Sequence, residues 1–268
     1  MRIVDTWMNV DMPVWGEEPW MLAVAERYLG SGRAGLRRLE AAELLEEMDA
    51  NGVEKAILDL NLDRPSAHTL KVTEAAPDRL SLAGRVDPRK PMKAVGKLRA
   101  AHADLPLVSA KIVPFMQDLP PTHASHYPVY AACTELDLPI QINTGIPGPP
   151  LPSACQEPIH LDRVCFDFPD LTVVMAHGAD PWWDVAIRLM IKWPNLHLMT
   201  SAYRPKYLPD SLLHYMRTRG PEKVMFASDH PLLEIDKCVS DLAGLDLPGT
   251  VLEGYAATNA EGVFFDAG

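Results

Sequence analysis

Residues 170–184 read DLTVVMAHGADPWWD. Residues 171–176 are a short, nearly continuous apolar run with β-branched side chains, bounded by Pro169 and Gly178. That length and composition suit a strand buried on both faces, as in a parallel sheet, better than a helix. His177 stands at the C-terminal end of the run, and Pro181 opens the amphipathic stretch WWDVAIRLMIKW. A histidine at the tip of a buried parallel strand, beside a helix start, is where α/β barrels place their chemistry. The plain alternative is a structural histidine bonded within the core.

The same alternation extends in both directions. Strands are predicted at 2–8, 53–58, 80–86, 107–113, 139–142, 171–176, 196–200 and 223–227. Between and after them, helical patterns fall at 20–28, 40–49, 67–76, 91–102, 128–136, 161–166, 212–218, 235–243 and 251–260, besides the run that follows His177. A loop carrying Pro13, Gly16 and Pro19 joins the first strand to the first helix. Eight strands alternating with helices over roughly 250 residues is the pattern of a single-domain (β/α)8 TIM barrel, here spanning 1–268. The competing doubly wound open sheet would carry GxGxxG after a strand, and no strand here is followed by one.

A chain of 268 residues with 47% hydrophobic and 23% charged residues has the composition of a soluble globular protein. Its net charge of −11 argues against a nucleic-acid or anionic-membrane partner. The four cysteines, Cys133, Cys155, Cys165 and Cys238, show neither zinc-knuckle nor disulfide spacing. The start, MRIVDTWMNV, has no long apolar leader, and no stretch reaches membrane-spanning length. The expectation is a cytoplasmic protein acting on a small molecule.

A barrel's active site lies at the C-terminal ends of its strands. Those tips are Trp7 and Asn9 on strand one, Lys111 on four, Asn143 on five, His177 on six, Ser201 on seven and Asp229 on eight. Lysine, asparagine, histidine and aspartate converging on one mouth form a catalytic constellation. Each also has a plain reading: Lys111 as a solvated lysine, Asn143 as a turn residue, Asp229 as a helix cap.

From about residue 109 onward the sequence resembles the amidohydrolase-related family of the amidohydrolase superfamily. The resemblance lies in SAKIVPF, YPVYAACTELDLPIQINTG, HLDRVCFDFPDLTVVMAHGADPWWD, PNLHLMTSAYRPKY, KVMFASDHPL and TNAEGVF, in that order. This branch contains aminocarboxymuconate-semialdehyde decarboxylase, aromatic-acid decarboxylases and hydrolases of lactones and acyl compounds. Members that bind a metal carry Asp-x-His-x-His on strand one and His-Thr-Gly on strand five. Here the strand-one stretch is Asp5-Thr6-Trp7-Met8-Asn9, and the strand-five motif is Asn143-Thr144-Gly145. Indole is no ligand and a carboxamide is a poor one for zinc, so His177 and Asp229 alone remain of the usual set. No cofactor is therefore expected; a divalent metal such as zinc, on His177 and Asp229, is the alternative.

The expected activity is hydrolysis of a small ester, lactone or acyl thioester without a metal. The resemblance supplies a precedent in the metal-free pyrone-dicarboxylate lactonases. Asp229 serves as the base that activates water, Lys111 and His177 polarise the carbonyl or hold a carboxylate, and Asn143 donates its amide N–H. Trp7 offers an aromatic wall, while Asn9, Tyr203, Arg204 and His230 complete the substrate contacts. Two alternatives stand beside this: a metal-dependent decarboxylase of an aromatic or unsaturated acid, and a catalytically silent barrel acting as a binding or partner protein. Exposed aromatic runs such as PWW and IKW suit a homodimer or higher oligomer.

Overall fold

Each predicted strand is found in the computed structural model, which describes residues 1–14 and 20–265. They are β1 Ile3–Met8, β2 Val53–Asn61, β3 Leu80–Arg85, β4 Leu107–Ile112, β5 Ile140–Asn143, β6 Val173–Ala176, β7 Leu196–Met199 and β8 Val224–Met225. All neighbours pair in parallel in the order β1 to β8. Beyond the end of β8 the ring closes onto β1: Thr6 N–H donates to Phe226 O (3.3 Å), Asp229 N–H to Trp7 O (3.0 Å) and Asn9 N–H to His230 O (2.7 Å). The result is an eight-stranded barrel. The loop expected through Gly16 and Pro19 lies outside the described residues.

Strand side chains alternate between two cores, because successive residues point to opposite faces. Ile57, Ala83, Val174, Met199 and Met225 fill the barrel interior. Their neighbours Leu58, Leu82, Val173, Leu198 and Val224 point outward to the surrounding helices. Those helices are α1 Ala41–Ala50, α2 Ala67–Glu74, α3 Pro91–Asp104, α4 Tyr127–Glu135, α5 His160–Asp167, α6 Trp183–Lys192, α7 Asp210–Thr218 and α8 Ile235–Leu242. Local chemistry sets their starts: Ser66 Oγ accepts Thr69 N–H (3.1 Å) to cap α2, and Pro91 opens α3, where its missing N–H costs nothing. Residues 20–28, expected as one helix, form a short turn Met21–Ala23 that widens into Val24–Tyr28. No helix among the described residues is long and apolar enough to cross a membrane.

The loops that follow the strands are locked where the backbone is least free. His177, Ala202 and Asp229, after β6, β7 and β8, adopt left-handed conformations with φ of 63°, 64° and 66°. Such angles cost non-glycine residues free energy and cluster at functional sites. Thr144 Oγ donates to Gly178 O (2.6 Å) and Ile146 N–H to Asp180 O (2.8 Å), which ties the β5 and β6 loops together. Gly178 is left-handed, and a Cβ there would lie 2.3 Å from the Trp183 ring. Gly178→Ala therefore has to displace a buried indole. Its expected cost is about 1–3 kcal/mol of stability, read as a lower denaturant midpoint at unchanged m-value.

Candidate active site

Two residues past the interior layer, the inward-facing side chains reach the mouth of the barrel. On β2 to β5 these are Asp59, Arg85, Lys111 and Asn143. A cavity of about 120 Å³ opens above them. Its floor is Trp7, Asn9, Lys111, Asn143, His177 and Asp229, and its apolar walls include Met12, Trp20, Met21, Phe115 and Leu232. The sequence-predicted constellation is thus assembled in one place.

Lys111 is only 1% exposed, which removes the reading of it as a solvated lysine. Its Nζ lies 2.7 Å from Asp59 Oδ1 and 2.8 Å above the Trp7 ring centroid, an ion pair and a cation–π contact. Burial pulls the Lys111 pKa down to about 8, against the attraction of Asp59 and Asp229. Burial alone would raise the Asp59 pKa, but the charges of Lys111 and of Arg85 (3.6 Å) outweigh it and hold the carboxylate ionised. The pair is charged at neutral pH.

Asp229 is pushed up to about 7 by burial, with the Lys111 charge and the Asn9 amide pulling back. Asn9 Nδ2 donates to Asp229 Oδ1 at 3.0 Å. His177 is pulled down to about 3 by burial and by Lys111, so its imidazole is neutral. It lies edge-on to Trp7 with ring centroids 4.3 Å apart, and its backbone N–H donates to Ser201 Oγ (3.0 Å). The buried Asn143 Oδ1 and His177 Nδ1 have no hydrogen-bond partner within the described protein, leaving two polar atoms at the floor for a ligand. Beneath them Asp5 Oδ1 accepts the N–H groups of Trp7 (3.2 Å) and Ser228 (3.0 Å), which clasps β1 to the tip of β8.

Two expected substrate contacts are corrected. His230 turns away from the cavity, its Nε2 2.9 Å from Glu47 Oε2 on α1, and that contact draws Glu47 down to about 2. Arg204 is held by both oxygens of Asp241 at 2.8 Å and does not line the cavity, whereas its neighbour Tyr203 does. Sequence reasoning missed Asp59 and Arg85. The available signal was a lone acid in the apolar run AILDLN: ending strand two at 58, rather than at Asn61, left Asp59 outside the barrel.

A family model described as amidohydrolase matches residues 4–265. Among curated proteins there is no significant match. Among solved structures, an uncharacterised TIM-barrel protein from Bordetella bronchiseptica aligns with TM-score 0.84 at 23% identity, covering 98% of both chains. A 5-carboxyvanillate decarboxylase from Novosphingobium aromaticivorans, complexed with manganese and a nitrobenzoic acid, aligns with TM-score 0.74 at 18% identity over 98% of this chain and 96% of that one. A 2,6-dihydroxybenzoate decarboxylase from Rhizobium gives 0.73 at 18%, over 98% and 99%. At these identities the likeness is one of fold.

The residues at this mouth do not fit a divalent metal. Among the described residues no group of three or more His, Cys, Asp or Glu side chains is placed to hold one. His177 and Asp229 share the floor with the Lys111 ammonium, the Trp7 indole and two carboxamides, and one Asp229 oxygen already takes the Asn9 N–H.

Asp59→Asn strands the buried Lys111 cation and is expected to cost about 3–5 kcal/mol. Asp59→Leu combined with Lys111→Met should recover only the part of that loss due to Lys111 in the same denaturation experiment, because Arg85, 3.6 Å from Asp59, also loses that carboxylate.

Proposed function

The chain belongs to the amidohydrolase family, and from that premise we propose that it is an enzyme that decarboxylates a small aromatic or unsaturated carboxylic acid. Asp229 is the proton donor and Lys111 the cation that receives the acid group. One observation carries the proposal: an apolar-walled cavity at the barrel mouth ends on a buried ammonium and a buried carboxyl group. The aromatic-acid decarboxylases among the similar folds support the substrate class.

The acid enters with its carboxylate toward Lys111, the residue that offsets its charge inside a low-dielectric site. Trp7 gives a planar face, and Asn9 and Asn143 add amide contacts. Protonated Asp229 then delivers its proton to the carbon bearing the carboxylate. The carbon–carbon bond breaks, its electron pair restores the unsaturated system, and CO2 leaves. Asp229 recovers a proton from solvent. The apolar walls exclude bulk water during this exchange, which strengthens the Lys111 interaction.

Hydrolysis is the second reading, favoured by the Asn9 N–H on Asp229 Oδ1, since an amide donor stabilises the carboxylate that a general base needs. The pH profile separates the two with opposite signs. Asp229 is raised to about 7, so an acid role gives kcat/KM that is full below that pH and falls above it. A base role gives kcat/KM that falls below it. The expected outcome with hydroxybenzoates and unsaturated acids is CO2 release with the alkaline fall, reduced by at least about 100-fold in Asp229→Asn. Ester or lactone turnover with an acidic fall, and no CO2, would replace decarboxylation by hydrolysis.

A second expectation concerns the cation. Dialysis against a chelator should leave kcat unchanged, whereas Lys111→Met should raise KM for the acid by roughly tenfold or more. Chelator-sensitive turnover restored by manganese or zinc would overturn the assignment of Lys111 as the carboxylate-binding cation.

A further inference from the structure

The proposed reaction uses the floor of the cavity and asks of its apolar end only that it exclude water. That end is built by the segment between β1 and α1, whose described parts fold across the barrel mouth as Met12–Val14, Met21–Ala23, Val24–Tyr28 and Gly32–Leu36. Met12, Met21 and Ala25 of this segment pack with Leu232, from the loop after β8, as a small core of their own. It is separate from both barrel cores. Met12, Trp20, Met21, Leu29 and Leu232 turn side chains to the cavity. The loop after β5 encloses it further, for a Cβ on Gly148 would lie 3.0 Å from the Tyr28 ring and 3.3 Å from Val24.

Charge is distributed unevenly over this cavity. Among the described lining residues Lys111 is the only Lys or Arg, and it belongs to the floor. A second anionic group on a ligand would meet methionine, leucine and tryptophan, where an unpaired charge is strongly disfavoured. Methionine is flexible and polarisable, so walls built on Met12 and Met21 adjust to tails of differing shape.

We propose that the cap made by Met12, Met21 and Leu232 is a specificity subsite, and that the ligand is a monocarboxylic acid with an apolar alkyl or aryl tail. Its carboxylate meets Lys111 and its tail meets the cap. Dicarboxylates and acids with a polar far end are rejected. The inference rests on the reading of Lys111 as the acid-binding cation, and it adds what lies at the other end.

The test is direct binding by calorimetry of benzoate, 4-methylbenzoate, 4-propylbenzoate and terephthalate, with CO2 release measured in parallel. Each methylene added toward the cap should tighten binding about threefold to fourfold until the cavity is filled. Terephthalate should bind at least about tenfold more weakly than 4-methylbenzoate. Met21→Ala should weaken 4-propylbenzoate more than benzoate, and Met21→Lys should move the preference toward terephthalate. A flat series, terephthalate binding as tightly as 4-methylbenzoate, or no binding by any member overturns the subsite. If Met21→Lys does not fold, the wild-type series and Met21→Ala decide alone. Graded binding without CO2 from any acid overturns decarboxylation and keeps the subsite, whereas CO2 from mono- and dicarboxylates alike does the reverse.

Discussion

A lysine inside a barrel has to be neutralised, and the Lys111–Asp59 contact at 2.7 Å is what makes the rest of this site possible. Desolvating an ammonium costs several kcal/mol, and the attraction of a carboxylate at contact distance offsets that only when the geometry is held. Here β2 and β4 supply the two partners from opposite sides of β3, and Arg85 on β3 adds a second cation against the same carboxylate. The Lys111 charge then reaches the neighbours. It helps keep His177 neutral and it lowers the pKa of Asp229, which burial alone would push higher. Burial and this one fixed charge together set the protonation of His177 and Asp229.

Around that charge the work is divided between strands and loops. Strands place the floor, because period-two alternation and parallel register leave little freedom in where Lys111 and Asn143 point. Loops place the walls and the groups beyond the strand ends. Left-handed backbone at His177, Ala202 and Asp229 turns the chain sharply as it leaves β6, β7 and β8. The hydrogen bond from Thr144 to Gly178 and the Asp5 clasp on Trp7 and Ser228 keep those turns in register. Strained backbone persists only where its surroundings over-determine it, and these bonds do that.

The barrel was legible in the sequence because its signal is local. A run such as TVVMA between Pro169 and His177 announces a buried strand without help from the rest of the chain, and eight such runs leave few topologies. Lys111, Asn143, His177 and Asp229 followed as strand tips. What could not be read were the partners. Asp59 lies one residue past the point where strand two was ended, and only the structure shows its bond to a residue 52 positions later. His230 and Arg204 were equally opaque, since Glu47 and Asp241 claim them through contacts distant in sequence. The cap was invisible for another reason: Met12, Met21 and Leu232 form no periodic pattern, and meet only when the chain folds over the mouth.

The same protonation pattern bears on which chemistry the floor favours. Lys111 has to be charged to hold an anion, a condition met below about 8. If Asp229 acts as an acid it has to be protonated, a condition met below about 7, so the two requirements overlap across the whole range beneath that value. If Asp229 acts as a base it has to be ionised while Lys111 stays charged, and the Lys111 charge and the Asn9 N–H both favour that form. A carboxylate arriving at Lys111 works the other way, since each new negative charge makes Asp229 hold its proton more tightly and so favours the acid role.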